Sequence, residues 1–167
     1  QGAYTNDGDP WTTISDLLTE FGTSDILAII EAASGRLIAV GDNGKGAYSD
    51  NITAWTSVTM NLPQSIRALA YRSSTGRILA GGQAGNASYS VNNGATWTAI
   101  SPKPIGGLTI YGAVYCDFLS LFFFVGELTT IGYSTDGVTG WSSLSLGGQS
   151  WLTDIACNSS IVVAVGR

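Results

Sequence analysis

Histidine is absent from the 167-residue chain, and methionine occurs once. Without histidine there can be no Ser-His-Asp triad, no Cys-His dyad and no zinc site of the usual ligand sets. Positive charge is scarce, with seven Lys and Arg against twelve Asp and Glu and a net charge of −5. Nucleic-acid phosphates demand a basic surface, so nucleic acid is not an expected partner. No apolar run reaches ~18 residues, so no transmembrane helix is expected. Cysteine occurs twice. Cys116 and Cys157 lie in apolar, strand-like runs (AVYCDF, DIACN) and read as small buried hydrophobes. A bridge between them would need Cα atoms within ~7 Å, which spacing alone does not give. Glycine, by contrast, is abundant: 22 residues, roughly twice the usual share. Low charge with much Ser, Thr, Asn and Gly suits an extracellular or virion surface. The chain opens on Gln1 and reads as a processed or excised piece.

The dominant signal is an internal repeat. Trp11, Trp55, Trp97 and Trp141 recur at steps of 44, 42 and 44. Tyr4, Tyr48, Tyr89 and Tyr133 recur at 44, 41 and 44. Gly41, Gly82, Gly126 and Gly166 each close a short apolar run: LIAVG, ILAGG, FFFVG and VVAVG. Each unit reads as four short strands. In the first complete unit these are an apolar strand from Ile26 to Ala32, a second over Leu37 to Gly41, a third around Tyr48 and an outer one from Trp55. β-Branched and aromatic runs between Gly, Asn, Asp and Ser turns are the pattern of antiparallel meanders. Four strands per unit of ~42 residues describe a β-propeller blade. DILAIIEAA could be a helix on local propensity, but its repeat equivalents SIRALAYR and TIYGAVYC favour a strand.

The termini complete the count. QGAYTNDGDPWTTI matches KGAYSDNITAWTSV, the second half of a unit, and WLTDIACNSSIVVAVGR matches the first half. The expectation is an all-β propeller of four four-stranded blades, at about 26–59, 66–100, 110–144, and 151–167 plus 1–14. Pairing of the N- and C-terminal strands would close it and remove exposed sheet edges. The alternatives are a segment of a larger propeller and a chain that pairs with copies of itself.

The turns before the outer strands read TNDGDPW, SDNITAW, SVNNGATW and STDGVTGW. Ser90, Asn92, Gly94, Thr96 and Trp97, and likewise Ser134, Asp136, Gly137, Thr139 and Trp141, resemble the Asp-box (BNR) repeat, S-x-D-x-G-x-T-W. Asn92 stands where Asp is usual, and the second copy carries one residue displaced before its Trp. Asp7 and Trp11 belong to a shortened version, Asn51 and Trp55 to a degenerate one. The resemblance covers essentially the whole chain and implies a propeller in which these residues hold the fold. The Asp or Asn would accept hydrogen bonds from its own turn, and the Trp would pack on the blade. A calcium ion at Asp7 and Asp9 or at Asp136 would find too few carboxylates for a 6-to-8-oxygen shell. No metal or cofactor is expected. In texture the chain also looks like the Asp-box propellers of bacteriophage tail and fibre proteins and bacterial surface proteins.

The best-known Asp-box family, the sialidases, uses an arginine triad, a Tyr/Glu nucleophile pair and an acid/base Asp on six blades. Here Arg36 and Arg77 sit at equivalent hairpin turns, so three convergent arginines are not expected. A general glycosidase needs two facing carboxylates. Asp117 and Asp154, near inner-strand ends, are the pair that could approach the axis. No catalytic residue is assigned, and the chain is read as a non-enzyme.

The loops that break the repeat lie at residues 15–25, 60–65, 101–109 and 145–150, with shorter ones at 42–46, 83–86 and 127–130. Irregular loops on a regular scaffold are where binding resides. The unrepeated aromatics Trp151 and Tyr111 open inner strands beside these loops. With Asp42, Asn43, Glu127 and Gln149 they form the expected ligand-binding set. An exposed aromatic among amides and carboxylates stacks and orients a sugar ring, although both rings could equally fill space between narrow blades. The expected function is binding of a glycan, receptor or host surface. The alternative is a structural virion or filament subunit that binds sister chains, and a glycoside hydrolase comes third.

Overall fold

The structure, a computed structural model, describes residues 3–5, 10 and 12–167. It is a β-propeller fold built from short antiparallel strands, with one α-helix among the described residues. Strands β1 (Ala3–Tyr4) and β2 (Thr12–Thr13) pair with each other, and helix α1 (Ser15–Phe21) follows. Three four-stranded meanders come next. The first holds β3 (Ile26–Glu31), β4 (Leu37–Gly41), β5 (Lys45–Ser49) and β6 (Thr56–Thr59). The second holds β7 (Ile66–Arg72), β8 (Arg77–Gly82), β9 (Ala87–Ser90) and β10 (Thr98–Ala99). The third holds β11 (Ile110–Cys116), β12 (Leu121–Gly126), β13 (Thr130–Ser134) and β14 (Ser142–Ser145). The chain ends in a two-stranded sheet of β15 (Leu152–Cys157) and β16 (Val162–Gly166). Among the described residues no ladder joins β16 to β1, the pairing expected to close the ring. Among the described residues no helix is long and apolar enough to cross a membrane.

Side-chain alternation explains why both faces of each sheet are apolar. On β8, Ile78 and Ala80 pack with Ile38, Val40 and Leu69 between the first two sheets. Leu79, the residue between them, faces the third sheet with Phe122, Phe124 and Ile110. On β12, Phe122 and Phe124 point back to the second sheet, while Phe123 and Val125 face Leu152 and Ile155. The three consecutive phenylalanines thus serve two interfaces, as a strand packed on both faces requires.

Glycine closes each second strand for a steric reason. A Cβ on Gly41, Gly82, Gly126 or Gly166 would run into the backbone carbonyl of Asp25, Ser65, Thr109 or Trp151. There the inner strand's approach passes directly over the end of its neighbour, and no side chain fits between.

Two sequence expectations are corrected. Cys116 and Cys157, read as buried thiols, form a disulfide across 6.0 Å between Cα atoms. Adjacent inner strands bring residues at matching blade positions together, an adjacency that sequence separation hides. The 15–25 connection is not all loop. Leu17 and Phe21 fall on one face of α1 at i and i+4 and bury against Ala39, Ala47 and Trp55. Gly22, at φ 61°, ends the helix, and the Asp16 carboxylate accepts the backbone N–H of Trp55 at 2.6 Å.

Candidate functional site

The turns before the outer strands are built as ties. Asp136 Oδ1 accepts the N–H groups of Val138 and Thr139 at 2.8 Å each, and its Oδ2 accepts the Thr139 hydroxyl at 2.7 Å. Burial alone would raise the Asp136 carboxyl; these bonds and one from the Ser134 hydroxyl outweigh it and hold the group well below the usual carboxylate range. Asn92 takes the same place, accepting Thr96 N–H at 2.9 Å, and Asn51 accepts Ala54 N–H at 2.8 Å. The indoles of Trp97 and Trp55 donate to Gly94 O and Ile52 O. Trp141 differs: its Nε1 is buried without a hydrogen-bond partner among the described residues, and its ring stacks on Phe124 with centroids 5.0 Å apart. Asp7 and Trp11 lie outside the described residues.

These turns also lock one sheet to the next. Asn93 exchanges two hydrogen bonds with the backbone of Ala33, and Arg36 donates to Asn93 O at 3.3 Å. Arg77 donates to Asp136 O in the same manner. Arg36 also grips Asp50 through two bonds of 2.7 and 2.8 Å; this pairing lowers the Asp50 carboxyl and raises the guanidinium. The repeated arginines are thereby structural.

The opposite rim carries the irregular chemistry. Four equivalent turns each send an N–H back to the approach of the inner strand: Asp42 to Asp25 O, Gln83 to Ser65 O, Glu127 to Thr109 O and Arg167 to Trp151 O, at 2.9 to 3.1 Å. Just inside that rim, each inner strand slips register by one residue, at Leu27, Arg67, Tyr111 and Thr153. A bulge re-aims the side chain it carries. The result is a row across three neighbouring sheets. Arg67 lies 6.0 Å from the Tyr111 ring centroid, Tyr111 lies 5.9 Å from Trp151 with the planes tilted by 33°, and Arg167 lies 4.6 Å from Trp151. Arg67 Nε is buried without a hydrogen-bond partner among the described residues.

Of the expected ligand set, Tyr111 and Trp151 meet in this row. Glu127 joins them through a backbone bridge to Trp151, while its carboxylate is engaged by Thr109 N–H at 2.9 Å. Gln149 is exposed in the loop just before Trp151. Asp42 and Asn43 sit in the corresponding turn of the first sheet, beside Asp25 and Ser24. Sequence reading missed Arg67 and Arg167. Aligning the units on their closing glycines would have put Arg67 level with Tyr111, and Arg167 level with Asp42 and Glu127.

The carboxylates weighed for catalysis do not converge. Asp154 lies level with Gly112 near the start of β11, whereas Asp117 follows the end of that strand. Five residues of strand separate the two levels, roughly 16 Å, beyond either glycosidase spacing. No cluster of His, Cys, Asp or Glu among the described residues could hold a metal ion.

No protein-family model matches the sequence, and no curated protein does. Solved structures do match. The chain is similar to YCF48 from Cyanidioschyzon merolae, with a TM-score of 0.69 and 19% identity over 96% of this chain. It is equally similar to YCF48 bound to D1 peptide, with a TM-score of 0.69 and 15% identity over 85% of this chain. A Niastella koreensis GH74 enzyme matches 78% of the chain (TM-score 0.61, 22% identity, 19% of that enzyme). The WD40 β-propeller domain of Doa1 matches 77% (TM-score 0.57, 14% identity, 44% of that chain). The chain spans 58% and 48% of the two YCF48 chains. These likenesses give the propeller fold.

Proposed function

We propose that this propeller is a non-catalytic binding module whose ligand is a glycan of a cell or host surface, held on the Tyr111–Trp151 ledge. The reading places the protein outside the cell or on a virion, in keeping with its low charge and its Ser, Thr, Asn and Gly content. The observation that carries it is the 5.9 Å aromatic pair on an irregular rim, away from the rim of structural ties. A pyranose presents a C–H face to an aromatic ring and hydroxyls to the polar groups around it. Exposed Gln149 supplies such a donor beside Trp151. A neighbouring propeller, YCF48, has been solved with a bound peptide, so propellers of this build do serve as docking surfaces. Catalysis is left out because Asp117 and Asp154 stand far apart along the inner strands.

The test is a glycan array probed with the intact protein. Retention on a defined class of glycan, lost in Trp151→Ala at unchanged circular dichroism, is expected. Absence of glycan binding, or binding indifferent to Trp151→Ala, would overturn the reading. Release of reducing sugar from a bound glycan would overturn its non-catalytic part.

A further inference from the structure

The two incomplete sheets are complementary halves of one blade. In β1–β2, Ala3 pairs with Thr13 and Tyr4 with Thr12. That is the register of β5–β6, where Ala47 pairs with Ser57 and Tyr48 with Thr56. In β15–β16, Leu152 pairs with Gly166, and Asp154 pairs with Val165 after a one-residue bulge. That is the register of β3–β4. Among the described residues, then, no third strand pairs with the free edge of β16, and no second strand pairs with β1.

The two halves stand at opposite ends of the row of sheets. Tyr4 packs with Leu17, Phe21, Ala39 and Trp55 on the flank of the first sheet. The pair β15–β16 packs on the far flank of the third, through Phe123, Val125, Leu152 and Ile155. Each inner strand packs on the next, β3 on β7, β7 on β11 and β11 on β15. The outward flanks still expose apolar inner-strand and second-strand side chains. Val163 and Val165 are 48% and 54% exposed, whereas their counterparts Ile38 and Val40 are fully buried. At the other end Ile29 is 53% exposed, whereas its counterpart Leu69 is buried. Between β16 and the outer half of the third sheet runs an apolar groove of about 330 Å³, lined by Phe123, Ile131, Tyr133, Leu144, Val162 and Ala164. It occupies the place that the outer strands of a completed blade would fill.

We propose that this groove and the free edge of β16 receive the β1–β2 hairpin of a second copy of the chain, forming one four-stranded blade across the two molecules. The strand edge supplies backbone hydrogen bonds. The register follows from β4–β5, where Ile38 pairs with Tyr48: Val163 of one copy meets Tyr4 of the next. Val163 and Val165 are then buried against Ile29 and its neighbours of the incoming first sheet. The contact is head to tail, so it ends only when a ring closes. Two copies joined at both seams amount to about eight blades, within the range at which propellers close.

Single-cysteine variants test this with the native disulfide retained. Paired strand residues have Cα atoms ~4.5–5.5 Å apart, within disulfide reach. Tyr4→Cys and Val163→Cys proteins, purified separately, mixed and oxidised, are expected to give a cross-linked species of twice the chain mass. Sedimentation of the unmodified protein is expected to give two or more chains. Val163→Arg, an exposed substitution, is expected to weaken association by more than about tenfold by burying a charge in the seam. It should leave binding at the Trp151 ledge unchanged, which separates this proposal from the ligand reading. A monomer at all concentrations would overturn the proposal. So would a Tyr4→Cys/Val163→Cys double variant that cross-links only within one chain, because the hairpin would then complete its own blade.

Discussion

Thr139 gives both its backbone N–H and its hydroxyl to one carboxylate, that of Asp136, at 2.8 and 2.7 Å. The carboxylate form is thereby favoured in the folded chain, and the pKa lies below its unfolded value. A depressed carboxylate contributes stability that is complete above the unfolded pKa of ~3.9 and drains away as pH falls below it. The expected outcome is an acid-side loss of stability beginning near pH 4 that Asp136→Asn flattens. Thermal melts of both proteins between pH 2 and 6 check this. The Asn variant should stay folded at neutral pH, because Asn92 does the same work in the second sheet. Asp136→Ala strands two N–H groups and should cost about 1–3 kcal/mol.

Gly82 is expected to tolerate no side chain. Its Cβ would strike the Ser65 carbonyl, and the same collision recurs at Gly41, Gly126 and Gly166. Backbone meets backbone here, so no side-chain rotamer relieves it. Gly82→Ala should cost roughly 1–3 kcal/mol or more, read as a fall in denaturation midpoint. Gly107→Ala, where a Cβ meets open space, should be near neutral.

The spacing of Trp, Tyr and Gly carried the strand order of all three complete sheets, because each residue is used once per blade at a fixed place in the register. The turn chemistry was legible for the same reason: the side chains of Asn51, Asn92 and Asp136 bond within a few residues of themselves. What escaped sequence reading joins residues across sheets. The Cys116–Cys157 bridge, the Arg36–Asn93 tie and the Arg67–Tyr111 approach all span 41 residues or more. A bulge at an inner strand carries no composition signal, so Arg67 looked like an ordinary strand arginine.

The disulfide should matter for stability. It joins the third sheet to β15, whose sheet has two strands and exposed valines. Closing a loop of 41 residues removes unfolded-state entropy worth about 4 kcal/mol in the chain-entropy model. The Cys116→Ala/Cys157→Ala double variant should lose about 2–4 kcal/mol of that, measured by denaturant unfolding. Hydrogen exchange should rise first in β15 and β16, the elements held by the bridge.

Arg167 lies over the ring of Trp151. Its guanidinium lies 4.6 Å from the ring centroid, and it is exposed, so the contact is worth about 0.5–1 kcal/mol. A neutral sugar that stacks on this face must first displace it. Arg167→Gln should therefore tighten binding of a neutral glycan by a few-fold, the factor that corresponds to that energy. An acidic sugar would respond in the opposite sense, because its carboxylate would lose a charged donor worth more than the displaced contact. Titration of one neutral and one acidic glycan against Arg167→Gln reads the sign directly. With a neutral ligand, Tyr111→Ala should weaken binding less than Trp151→Ala, because indole offers the larger ring and the stronger π-face.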